Sequence, residues 1–271
     1  MEPVHVIQDS KPLYMKGSKT GVLMLHGFTG APQGVQFWAY YIAHEGYTVS
    51  CPLLPGHGKT WQELNKTKWT EWYSEVVRAF TELKKECDTV FVMGLSMGGT
   101  LSLKLAEDYP DQIRGLVLVN PSIMTLDKRA KYTPLVKWII PSIKGIGSDI
   151  KKFGARELAY HRFPLRAFDS LRELWEITRN DLRKITTPVL IYHSTIDHVV
   201  EPENTKIILQ DISSTQKEER WCQNSFHVAT LDNDAQEIFT GSIDFMKKFE
   251  PAPVSQTVSH TLAQSVDSTK I

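Results

Sequence analysis

The stretch that most constrains this chain runs from Thr89 to Pro110, TVFVMGLSMGGTLSLKLAEDYP. Its composition predicts a buried strand over Thr89–Met93, a tight turn carrying Gly94-Leu95-Ser96-Met97-Gly98, and a helix over Gly98–Tyr109. A GxSxG turn between strand and helix puts a serine hydroxyl on a sharp bend, exposed at the end of a parallel sheet. Gly94 and Gly98 suit it because backbone segments approach closely there. The following helix directs its unpaired N–H groups and positive dipole end toward any oxyanion formed beside Ser96. Fold and reaction type are thus proposed together: an α/β sheet, and acyl transfer to serine. The bland alternative is a glycine-rich turn in any parallel α/β protein, so the rest of the chain must decide.

Strand and helix signals alternate along the chain, which predicts a mostly parallel sheet covered on both faces. Val22–Leu25, Thr48–Cys51, Leu116–Asn120, Val189–Tyr192 and Glu219–Gln223 read as strands. Ala31–His44, Trp69–Cys87 and Asp232–Phe249 read as helices, the second with Trp72, Val76, Phe80 and Leu83 near helical spacing. Residues 1–120 and 186–250 therefore form a core. Between Pro121 and Ile185 the rhythm breaks into proline-interrupted, short helical patterns with no convincing strand, predicting a small helical cap inserted into the core. Residues 251–271 are Ser/Thr-rich and read as a poorly packed C-terminal tail.

Composition removes several function classes. Lys plus Arg and Asp plus Glu both number 31, so a general nucleic-acid role has no electrostatic support. The cysteines Cys51, Cys87 and Cys222 lack metal spacing and suit buried thiols in a reducing compartment. The first residues lack the charged and apolar regions of a signal peptide, and no run approaches the roughly 18 apolar residues of a membrane span. These features predict a soluble, cytoplasmic protein. The insertion is basic, with 14 Lys or Arg against 7 Asp or Glu. That charge suggests transient contact with anionic lipid surfaces, against the plainer reading of a solvated helical face.

A serine hydroxyl needs a base in reach and an acid to orient that base. Of nine histidines, His227 in SFHVATLD lies in the loop between the last strand and last helix, on the edge where the turn at Ser96 emerges. His26, His57 and His193 also lie near strand ends; His26 better suits support of the loop it begins. Asp197, in HSTIDHVV after the Val189–Tyr192 strand, is the expected acid, with Asp127 as runner-up. The chain order Ser96, Asp197, His227 is that of hydrolases built on this elbow. An oxyanion hole needs two backbone donors; the N–H of Met97 and that of Phe28, in the loop HGFTG, are the expected pair.

The motifs GVLMLHGFTG, PLLPGHG, VMGLSMGG, HSTIDHVV and SFHVATLD span residues 21–231. In these the chain resembles the α/β-hydrolases, and within them the small bacterial carboxylesterases and monoacylglycerol lipases. The resemblance implies a mostly parallel sheet of about eight strands, a cap after the sixth strand, no metal and no organic cofactor. One departure is Ser194, where the acid loop of the family often carries glycine. It also implies a serine hydrolase of carboxylic esters, with monoacylglycerols or short- to medium-chain acyl esters as substrate. Glu157 and Asn180 would then be polar contacts for a glycerol leaving group, and Ile139 and Ile146 would line an acyl-chain pocket. Thioesterase or other acyl-transfer chemistry, and a non-catalytic binding protein of the same fold, stay open at this level. Oligomeric state has no signature in the chain.

Overall fold

The computed structural model describes residues 10–251. The N-terminal residues 1–9 and the tail beyond 251 lie outside the described residues. Strands β1 (Leu13–Met15) and β2 (Thr20–Leu25) precede helix α1 (Gln36–His44) and β3 (Thr48–Cys51). A short helix α2 (Trp61–Leu64) leads to α3 (Trp69–Glu86), β4 (Thr89–Leu95) and α4 (Met97–Asp108). After β5 (Gly115–Val119) come α5 (Thr133–Val136), β6 (Ser142–Lys144) and β7 (Arg162–Pro164). The chain closes with α6 (Leu165–Asp181), β8 (Val189–Ser194), α7 (Glu203–Asp211), β9 (Lys217–Cys222) and α8 (Ala235–Phe249).

Seven strands form one sheet in the order β1-β3-β2-β4-β5-β8-β9, where about eight were expected. Only β1 is antiparallel, pairing with β3. Strands β2, β5 and β8 are buried throughout, as a sheet covered on both faces requires. Alternation along each strand sorts side chains between two cores. Leu23, Leu25, Val92, Leu116, Leu118 and Ile191 face α3, α4 and α6. Val22, Met24, Met93, Val117, Val119 and Leu190 face α1 and α8. In α3, Trp72, Val76, Ala79, Phe80 and Leu83 form the buried stripe that docks it on the sheet. Leu25 pairs with Gly94, Leu95 with Val119, Val119 with Tyr192, and Ser194 with Cys222. The C-terminal ends of these strands therefore align, and the loops leaving them share one edge.

The insertion differs from the expected helical cap in two respects. Residues Ser142–Lys144 and Arg162–Pro164 form a two-stranded antiparallel ladder. Three-residue strands beside Pro141 and Pro164 leave no alternation long enough to read. Second, α6 is no part of a cap. Its Ala167, Leu171, Leu174 and Trp175 join the core against α3 and α4, making it the crossover helix between β5 and β8. The part of the insertion that precedes α6 runs over 121–164, and it follows the fifth strand in chain order. All three cysteines are free thiols and buried. No helix among the described residues is long and apolar enough to cross a membrane.

Candidate active site

Strand β4 ends at Leu95 and α4 starts at Met97, leaving Ser96 as the hinge at φ +56° and ψ −119°. A non-glycine residue at positive φ is strained and persists only where its surroundings hold it. They do so here through the main chain. Ser96 N–H donates to Val119 O at 3.0 Å, and its carbonyl accepts from Gly99, Thr100 and Ser122. Both flanking glycines are required by close approach. A Cβ on Gly98 would lie 2.2 Å from Leu25 O, and one on Gly94 would lie 2.3 Å from Gly98 O.

The loops after β8 and β9 bring Asp197 and His227 together. Asp197 Oδ2 accepts from His227 Nδ1 at 2.8 Å. Its other oxygen accepts from Val199 N–H and Val200 N–H, both at 2.8 Å. Both side chains are buried, Asp197 fully. Burial alone would raise the Asp197 pKa; the neighbouring imidazole and the two N–H donors outweigh it and hold the carboxyl below its usual range. Burial alone would lower the His227 pKa; Asp197, Glu157 and Asp149 outweigh that and hold it above the ordinary imidazole value. With Nδ1 committed to Asp197, Nε2 is the nitrogen left to accept a proton. Neither Nε2 nor Ser96 Oγ has a hydrogen-bond partner among the described residues.

The HGFTG loop after β2 lies against the serine. A Cβ on Gly27 would sit 3.4 Å from Ser96 Cβ and 3.9 Å from its Oγ. Neither Phe28 N–H nor Met97 N–H donates to a described residue, which leaves both available. His26 braces this loop from behind: Nδ1 contacts Gly27 O at 3.0 Å, and Nε2 accepts from Leu54 N–H at 3.2 Å. Burial lowers its pKa to about 4, so it stays neutral in that role. Thr29, next to Phe28, adopts φ +63°. The Phe28 ring packs against Trp72, Phe163 and His57.

The insertion supplies Glu157. Its Oε1 lies 2.7 Å from where a Cβ on Gly30 would stand and 3.2 Å from one on Gly34, so these glycines make room for it. The carboxyl has no hydrogen-bond partner among the described residues. Burial pushes its pKa up to about 7, with His227 pulling the other way. The remaining expected contacts fall elsewhere. Asn180 is exposed near the end of α6 and lines a separate groove with Ile123, Arg172 and Trp175. Ile139 is 84% exposed and Ile146 64%, so neither is enclosed as the wall of an acyl pocket. Their positions on the insertion's outer surface, which apolar content alone does not reveal, account for the difference. Asp127 is exposed and bonded to Arg129, away from His227.

Three residues of the site carry no sequence signature that singles them out. Asn120, fully buried at φ +45°, bonds through Nδ2 to His227 O at 2.6 Å and Ser194 Oγ at 3.1 Å. Its Oδ1 accepts from Ser194 N–H at 2.8 Å. Asp149 holds the histidine loop from the insertion, and Asp232 ties the loop's far end back to Phe226. The only hint for Asn120 is a polar residue closing the buried strand GLVLV.

The family described as serine aminopeptidase, S33 matches residues 17–234 of this chain. The chain is 40% identical over 250 residues to a thermostable monoacylglycerol lipase of Bacillus sp. (strain H-257), covering 91% of this chain and 98% of that protein. It is 28% identical to a carboxylesterase of Bacillus subtilis (strain 168), covering 89% of this chain and 97% of that one. A solved structure reported for the metagenome-derived lipolytic enzymes LipS and LipT superposes with a TM-score of 0.88 at 39% identity, covering 90% of this chain and all of that one.

Proposed function

Since the chain belongs to the serine aminopeptidase S33 family of α/β-hydrolases, we propose that it is a serine hydrolase that cleaves carboxylic esters, monoacylglycerols among them, through an acyl-enzyme on Ser96. The observation that carries this reading is the 2.8 Å contact of His227 Nδ1 with a buried Asp197, on the same sheet edge as the Ser96 elbow. The two relatives above are by their names a monoacylglycerol lipase and a carboxylesterase, and both are covered nearly end to end.

In this reading Ser96 Oγ turns toward Nε2 of His227 as substrate binds and attacks the ester carbonyl. His227 takes the hydroxyl proton, and Asp197 stabilises the resulting imidazolium without itself being protonated. The carbonyl oxygen becomes an oxyanion facing the N–H groups of Phe28 and Met97, each such donor being worth about 2.7–4 kcal/mol in the transition state. Collapse expels the alcohol, protonated by His227. Water, deprotonated by the same imidazole, then attacks the acyl-enzyme and releases the acid and Ser96.

Glu157 supports a glycerol leaving group. Its carboxyl lies against Gly30 and Gly34 with unused acceptors and interacts electrostatically with His227, and a glycerol hydroxyl would satisfy those acceptors. The outer surface of the insertion supports contact with lipid. Leu135, Trp138, Ile139, Ile140 and Ile146 are exposed near Lys131 and Lys144, a pairing suited to the interface of an anionic membrane. Equal partition onto neutral and anionic vesicles would remove that part of the proposal.

The deciding experiment compares mono-, di- and triacylglycerols with p-nitrophenyl esters, using Ser96→Ala as control alongside fluorophosphonate labelling. Ser96-dependent labelling together with turnover of monoacylglycerols and simple esters is expected. Ser96-independent turnover, or no labelling, overturns the assignment.

A further inference from the structure

Three consecutive N–H groups of the histidine loop are held in place, one by Asp232 at the far end of the same loop and two by Asp149 from outside it. Phe226 N–H donates to Asp232 Oδ2 at 2.9 Å, His227 N–H to Asp149 Oδ2 at 3.1 Å, and Val228 N–H to the main-chain oxygen of Asp149 at 3.1 Å. Asp149 belongs to the insertion, 78 residues from His227. The same Oδ2 also accepts from His198 N–H at 3.3 Å, and Oδ1 contacts His198 Nδ1 at 2.9 Å. His198 is the neighbour of Asp197. One carboxylate of the insertion therefore grips both the loop of the acid and the loop of the base. Asp232 completes the joint from the core side, accepting from Lys151 N–H at 2.7 Å and Lys152 N–H at 2.8 Å.

We propose that Asp149 is a positioning residue for the ester hydrolysis, setting the main-chain position of His227 relative to Asp197 from within the insertion. The inference rests on His227 being the general base. Two reciprocal carboxylates make the joint. Asp149 reaches from insertion to core, and Asp232 from core to insertion, each spending both oxygens on N–H groups or the His198 ring. A carboxylate accepting several N–H bonds in a site only 10% exposed is costly to replace, because every donor it leaves loses its partner. The consequence is chemical as well as mechanical. The imidazole of His227 faces three carboxylates: Asp197 from its own loop, and Glu157 and Asp149 from the insertion. The buried His193 at the end of β8 acts against them as a basic neighbour, and the His198 ring sits on Asp149 itself. Asp149 thus supplies one of the negative charges that oppose loss of the imidazolium proton. Segment 149–157, which also carries Glu157, is part of the catalytic frame and not a detachable cover.

The test uses the full chain with a p-nitrophenyl ester, measuring kcat, KM and the acid limb of the kcat/KM profile. Asp149→Asn keeps the shape but removes the charge; Asp149→Glu keeps the charge but displaces it; Lys247→Ala, exposed on α8, is the control. Both Asp149 variants are expected to lose kcat by about tenfold to a hundredfold with KM within twofold, as sub-ångström misplacement of a catalytic group does. Only Asp149→Asn should move the acid limb to lower pH. If Asp149→Asn does not fold, Asp149→Glu alone carries the test through its kcat loss at an unmoved acid limb. A kcat within twofold of the parent, or a loss expressed in KM or thermal stability with kcat and the acid limb in place, overturns the proposal. His227→Ala separates the two readings. Activity surviving that change would refute His227 as base. Activity lost there but retained in the Asp149 variants would refute only the positioning role.

Discussion

Asn120 Nδ2 donates to the carbonyl of His227 at 2.6 Å across 107 residues of sequence. The same side chain grips Ser194 by both its N–H and its hydroxyl, three residues before Asp197. Its own main chain follows Val119, whose carbonyl receives the N–H of Ser96. One buried amide therefore ties the end of β8 to the loop of the proposed base, and the main chain beside it holds the strand end of the proposed nucleophile.

Asn120→Ala removes three hydrogen bonds at once and places alanine at φ +45°. Each buried partner left unsatisfied costs about 1–3 kcal/mol. Thermal denaturation should show a clear loss of stability, and fluorophosphonate labelling of Ser96 should slow. Unchanged melting and labelling would mean that the strand ends hold their positions without this amide.

Asp197→Asn tests the tautomer. An amide in place of the carboxylate no longer favours a proton on Nδ1 of His227, so Nε2 ceases to be a reliable acceptor. By analogy with other Ser-His-Asp sites, kcat should fall by about 10⁴-fold. Binding of a substrate analogue should stay near that of the parent, since neither group contacts the acyl chain in this reading. A loss of less than tenfold would point to a different acid.

The pH profile follows from the carboxylates around His227. Only the neutral imidazole accepts the serine proton. Its folded pKa lies above 6.5, so kcat/KM should decline as pH falls through a value higher than that of an ordinary histidine. Removing a facing negative charge destabilises the imidazolium and moves the limb to lower pH; Glu157→Gln should do so. Glu157, raised to about 7, titrates in the same range, so the parent limb reports the pair and not a single group. A Glu157→Gln profile that overlays the parent would sink this account.

Glu107 gives a stability prediction far from the chemistry. It is 5% exposed on α4 and neither carboxyl oxygen has a hydrogen-bond partner. Burial pushes its pKa up to about 8, with Lys104 only partly opposing. The folded state thus holds this proton more tightly than the unfolded chain. Its contribution is most favourable below the ordinary value of 4.5 and declines as pH rises toward 8. Glu107→Gln should flatten that decline and stabilise the protein above pH 8, by an amount on the order of a few kcal/mol at most. Calorimetry at acid and alkaline pH checks the sign; a parent equally stable across the range would contradict it.

What the chain stated locally, it stated well. The strand over Thr48–Cys51 matches residue for residue, and the helices at Trp69 and at Met97 differ by a residue or so at their ends. Hydrophobic period and glycine placement are short-range properties, and a GxSxG turn between strand and helix is a short-range object. The pairing of His227 with Asp197 was legible for a related reason: loops leaving parallel strands must emerge on one edge. Only tertiary structure decided the rest. That α6 belongs to the core depends on Leu171, Leu174 and Trp175 meeting α3 and α4, which helical patterning of α6 alone does not report. That Ile139 and Ile146 face outward depends on what stands beside them. Asn120, Asp149 and Asp232 act through hydrogen bonds to main-chain groups distant in sequence or in another segment. Such bonds read an N–H or a carbonyl, identical at every residue, and so leave no complementary pattern in the partner's sequence.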